Sequence, residues 1–130
     1  MNSCSEDVKD MLEAVSALGL AFATDLFIAR EPTTPKDCVT IFDTPGAPPD
    51  IALDKSEYYY PSIQVRIRNT DYTTGWELAK NIMTELHGQV QETWNGTLYT
   101  VIKATSGPAL LGWDENNRAI IVINFDIQRR

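Results

Sequence analysis

Histidine occurs once in this chain, at His87, and cysteine twice, at Cys4 and Cys38. A structural zinc site needs four clustered N or S ligands, so no metal is expected. The two cysteines allow a single disulfide, but nothing indicates an oxidising compartment, and both are expected as free thiols. No apolar run approaches the roughly 18 residues of a membrane span. The Met1–Asp10 segment is polar and acidic where a signal peptide would be basic and then apolar, so the expectation is a soluble, intracellular product with no membrane partner. Catalytic signatures are missing as well: there is no glycine-rich phosphate loop, no G-x-G-x-x-G, no G-x-S-x-G elbow and no H-E-x-x-H. No catalytic residue and no cofactor is therefore expected.

What is present is an average globular composition, 43% hydrophobic and 22% charged over 130 residues with seven Gly and seven Pro. One domain over residues 1–130 is the natural reading, because a chain of this size buries roughly two thirds of its unfolded surface without disulfides or metal. Charge is segregated. Residues 1–65 hold 11 Asp or Glu against 4 Lys or Arg, residues 66–130 hold 7 against 7, and the net −7 belongs to the first half. Such a chain is a poor candidate for gripping nucleic acid, since phosphate binding draws its affinity from Lys and Arg.

Ser3–Leu18 reads as a helix: Ser3 and Glu6 have capping-box spacing, Val8, Met11, Leu12, Val15 and Leu18 form a stripe, and Gly19 supplies the stop. Short strands follow at Leu26–Arg30 and Cys38–Phe42. From Thr44 to about residue 57 the prolines 45, 48 and 49, with Gly46, predict an inserted loop. Tyr58–Asn69 is a half-buried strand with Ile63, Val65 and Ile67 inward and Gln64, Arg66 and Arg68 outward. A second helix spans about Tyr72–His87, capped by Thr74 and Glu77, with Ala79, Ile82, Met83 and Leu86 as its stripe. Gln91–Trp94 and Thr97–Ala104 flank Asn95-Gly96 as a type I′ hairpin. Ala119–Arg129, apolar on both faces at its start, predicts a central strand covered twice. The fold class is α+β: a mainly antiparallel or mixed sheet of four to six strands with two covering helices, the strand–helix–hairpin unit having room for one parallel pair.

Several residues invite chemistry and have plainer readings. His87 has the pKa of a general base, but it ends the second helix, where a partly positive ring suits the helix dipole. Asp114, Glu115, Asn116 and Asn117 lack the spacing of a calcium loop and read as a turn. Tyr58, Tyr59, Tyr60, Trp76, Trp94 and Trp113 suggest a stacking platform for single-stranded nucleic acid, yet Arg66 and Arg68 are the only close cations. Asp43, Asp50, Asp54 and Glu57 around the proline loop supply the residue types of an acid–base pair, which keeps a small hydrolase open as a rival; solvated loops are commonly acidic.

Phe27–Arg130 resembles the tail terminator (minor capsid) proteins of long-tailed bacteriophages. Three blocks carry the resemblance: Pro35–Gly46; Pro61–Arg68 leading into the helix around Ala79 and Ile82; and Gly107-Pro108 with Leu111-Gly112, followed by Asp114–Arg118 and the Ile120–Gln128 strand. The resemblance implies a virion protein that caps the tail tube as a ring, commonly a hexamer. It also implies that the ring stops tube polymerisation and presents the joining surface for the head. The implied partners are further copies of itself, the tail tube protein, a neck or head completion protein, and genome DNA passing without specific binding. Assembly would take place in the host cytoplasm. A head completion or stopper protein of the neck is the nearest alternative. A channel crossed by DNA is better lined by acidic than by basic groups, so Asp43, Asp50, Asp54 and Glu57 are the candidate channel-facing loop.

Overall fold

A computed structural model describes residues 1–51 and 57–130. Asp54 therefore lies outside the described residues. The elements run α1 (Cys4–Glu13), a 3-10 turn (Ser16–Leu18), β1 (Leu26–Ile28), β2 (Cys38–Ala47), β3 (Tyr60–Asn69), α2 (Tyr72–Leu86), β4 (Val90–Trp94), β5 (Thr97–Ala104), β6 (Ala109–Trp113) and β7 (Ala119–Arg129). The class is α+β, as expected, with one strand more than the expected range.

All seven strands join one mixed sheet in the order β1-β2-β3-β7-β5-β4, with β6 on the same edge of β7 as β5. The parallel pair is β1 with β2; the strands around α2 are antiparallel to their neighbours. β7 is the hub. Its first half, Ala119–Val122, pairs with β6, and its second half, Phe125–Arg129, with β5, while β3 runs along its other side.

Both helices lie on one face. Val8, Met11 and Leu12 of α1 and Ala79, Ile82 and Leu86 of α2 meet Ile63, Val65, Ile67, Ile121, Ile123 and Phe125, all but Met11 at zero exposure and Met11 at 2%. Period-two apolar residues on strands and period-3.6 residues on helices produce this layer directly. Gly75 lets α2 approach closely, since a Cβ there would stand 3.0 Å from the Asn69 Cβ and 3.2 Å from Ile121.

Several elements differ from expectation, and β1 ends at Ile28 rather than Arg30. α1 ends at Glu13 because Val15 is extended, and the Glu13 carboxylate accepts the Phe22 N–H, turning the chain toward β1. β2 continues through Thr44-Pro45-Gly46-Ala47, where a loop was expected. A register shift between the Thr44–Ser62 and Ala47–Tyr60 pairs absorbs the proline, and a Cβ on Gly46 would collide with the Tyr60 carbonyl. α2 is capped by Asp71, whose carboxylate accepts from the Thr74 N–H and hydroxyl, rather than by Thr74. β6 was not expected at all. The Asn95-Gly96 hairpin does form, with φ of 50° and 81° at the two turn residues.

Candidate functional site

Among the described residues, Asp43, Asp50 and Glu57 do not form one cluster. Asp43 stands in β2, not in a loop, and its two oxygens accept from the Ser5 N–H at 3.0 Å and the Ser5 hydroxyl at 2.7 Å, so that it holds the start of α1 against the sheet. Asp50 accepts from the Tyr60 hydroxyl at 2.7 Å, and that bond comes first among the influences raising the Tyr60 pKa. Glu57 is half-buried. Asp43 and Asp50 are thus tied to different partners, and no acid–base pairing is built between them.

Two polar clusters carry most of the buried charge. In the first, Asp7 at zero exposure accepts from Tyr99 Oη, from Asn95 Nδ2 at 2.8 Å and from Asn2 Nδ2 at 3.2 Å. Arg129 Nη1 lies 3.7 Å from the same carboxylate and donates to Tyr99 Oη at 3.0 Å and to the Asn2 carbonyl at 3.1 Å. These bonds knot α1, the β4–β5 hairpin and the end of β7 together. Burial pushes the neighbouring Cys4 thiol up to about 12, and burial together with the bond to Asp7 raises Tyr99.

In the second cluster, Arg68 is 4% exposed although strand alternation predicts it outward. Residues 31–36 cross over it, and its guanidinium donates to the carbonyls of Pro35 at 2.6 Å, Lys36 at 3.2 Å and Thr33 at 3.4 Å and to Glu31 at 3.2 Å. Arg118 adds a bond to the Thr33 carbonyl at 3.0 Å and one to Asp114 Oδ2 at 2.6 Å. Arg66 Nε pairs with Glu31 at 3.1 Å by charge, without an aligned hydrogen bond. Two arginines thereby fix an irregular segment by its backbone oxygens, work that ladder hydrogen bonds perform elsewhere.

The remaining candidates resolve locally. Asp114 accepts from the N–H groups of Asn116 and Arg118, making the expected turn; partial desolvation opposes ionisation there but the Arg118 and Asn116 bonds outweigh it, and the net pKa direction is downward. His87 caps the C-terminal end of α2, where it was expected, and its Nδ1 accepts the Ala104 N–H at 2.9 Å. The aromatics are dispersed: Trp76 and Trp94 pack on the core, Trp113 is 54% exposed on β6, and Tyr58 accepts from Arg130. Among the described residues no group of three His, Cys, Asp or Glu side chains is placed to hold a metal ion, and no helix is long and apolar enough to cross a membrane.

What composition did not flag is β6. Leu110, Leu111 and Trp113 are 43%, 62% and 54% exposed, and β6 pairs with β7 alone. The signal was available as an apolar stretch without alternation between Pro108 and Asp114.

A chain from the virion of a native gene transfer agent particle has the same fold, with a TM-score of 0.68 at 15% identity, covering 97% of this chain and 93% of that one. Among curated proteins none matches in sequence. A family model described as bacteriophage tail terminator protein matches residues 14–130, which contain every strand and α2. The chain belongs to the bacteriophage tail terminator family, and it is a structural protein of the virion tail.

Proposed function

We propose that this protein caps the tail tube as a ring, commonly a hexamer in proteins it resembles, stops tube polymerisation and offers the surface to which the head joins. The observation that carries this reading is the family match across residues 14–130. A sheet with exposed apolar residues on β6 and at Val90 of β4 is consistent with a subunit that acts through contacts. The partners proposed are further copies, the tail tube protein and a neck protein. The test is to add the purified protein to polymerising tube subunits and measure tube length by electron microscopy. Short tubes with density at one end are expected. An unaltered length distribution sinks the reading, and density confined to the head vertex replaces it with the stopper alternative.

The acidic loop is proposed to face the channel through Asp50, which accepts from Tyr60 and stays exposed, with Asp54 and Glu57; Asp43 stands in β2 with both oxygens on Ser5. Acidic groups there would repel the passing duplex and let it slide. Asp50→Lys with Asp54→Lys should leave ring assembly intact and lower infectivity in a complementation assay. Full rescue of infection by the double variant removes the channel assignment and leaves the capping reading standing.

A further inference from the structure

The register of the sheet aligns its two ends. One transverse row runs Leu26–Val39–Ile67–Ile121–Leu110, so β1 and β6 lie at the same height on opposite ends. At the height of Ser62 and Asp126 and beyond, β1 is absent and the end strand is the tail of β2, while the opposite end is closed by β4 outside β5. Each end is therefore a step of one strand, about 4.8 Å. At one end β1 projects and the β2 tail is recessed; at the other β6 is recessed and β4 projects. The steps are complementary in a neighbour of the same orientation.

Apolar exposure follows the same geometry. Of the eight large apolar residues exposed among the described residues, Leu110, Leu111, Trp113 and Val90 lie at the β6–β4 end, Phe22 lies beside β1 and Ile51 just past β2; two lie elsewhere. β6 carries no proline and no charge from Ala109 to Trp113, the usual protections of an exposed edge. β1 differs: the turn before it satisfies Leu26, whose N–H donates to the Ala21 carbonyl at 3.2 Å and whose carbonyl accepts from Ala23 at 2.9 Å. It offers a rounded, apolar knob rather than a strand edge.

We infer that the two sheet ends are the two halves of one head-to-tail contact between copies of this chain. The β1 knob with Phe22 seats in the recess beside Leu110, Leu111 and Trp113 of the next copy. The inference rests on the ring reading and names the surfaces that close the ring. A second copy is the occupant because the recess and the knob belong to one sheet, sit in one row and have steps of equal size. A heterologous contact of this kind closes a ring without leaving either apolar end bare.

The test uses Phe22→Asp and Leu111→Asp, two exposed positions, with thermal melting to verify that each variant folds. Wild-type protein is followed by native mass spectrometry, alone and with tail tubes. Each variant alone should run at the 14.6 kDa subunit mass. Mixing them should restore one intact contact per pair, the recess of Phe22→Asp taking the knob of Leu111→Asp, and give a species of twice that mass that grows no further. Rings formed by either variant alone overturn the inference and leave the ring reading intact. The same holds if both variants are monomeric but their mixture gives no dimer. A wild-type protein that neither self-associates nor binds tube ends overturns the ring reading, and the inference falls with it.

Discussion

The two faces of the sheet are ordered by different physics. On the helix-covered face, Ile63, Val65, Ile67, Ile121, Ile123 and Phe125 are fully buried by α1 and α2 with no directional partner. On the opposite face the same strands present Ser62 donating to Asp126 at 2.7 Å, Gln64 to Asn124 at 3.2 Å, and Arg68 with its four bonds to residues 31–36. Burial on the first face is non-directional and global. Order on the second depends on specific donors and acceptors, so damage there should remain local.

The contrast is broken most directly by Ile123→Asp. A carboxylate at a zero-exposure position of β7 costs about 5 kcal/mol, comparable with the whole stability of a small domain, and folded protein should disappear. Normal yield with an unchanged melting temperature would show that β7 is not the hub. Arg68→Met is the counterpart on the polar face. It strips the carbonyls of Pro35 and Lys36 of their side-chain donor, leaves Thr33 only its bond from Arg118, and should cost about 2–4 kcal/mol. Hydrogen exchange should then rise in residues 31–37 while α2 remains protected; a uniform rise would erase the distinction between the faces.

Tyr99→Phe tests the polar exception on the helix side, where the knot around Asp7 should behave like the opposite face. Loss of the bond to Asp7 and of the acceptor for Arg129 should cost about 1–3 kcal/mol, read by urea unfolding. A cost near zero would mean that α1 is held by Val8, Met11 and Leu12 alone.

The same knot sets an alkaline limit. Burial raises the Cys4 thiol from 9.0 to about 12, and Tyr99 is raised above 10.0 by burial and its bond to Asp7. Above pH 9 the unfolded chain loses these protons while the folded chain keeps them, so stability is flat below that pH and falls as pH climbs toward 12. Melting curves from pH 7 to 11 should show the decline, and Cys4→Ala should reduce its slope. The smallest effect belongs to Ser62→Ala, which removes an exposed bond to Asp126 and should lower stability by no more than about 0.5 kcal/mol. A loss several times larger would mean that the open polar face is as cooperative as the core.

The sequence by itself determined the α+β class, the helix-facing residues of β3 and β7, the Ser3 capping box and the Asn95-Gly96 hairpin. Each of those is written in neighbouring residues, through side-chain period or through one cap or turn. Tertiary structure decided the rest. Arg68 alternates outward and is nonetheless buried, because residues 31–36 fold over it from more than thirty positions away. Asp43 looks like part of an acidic loop and instead clamps Ser5. β6, with its Ala-Leu-Leu-Gly-Trp, has little strand propensity and exists because the first half of β7 leaves an edge free for it. The stepped ends of the sheet follow from which strand lies beside which, and non-local pairing of that kind leaves no period for a reader of the chain to find.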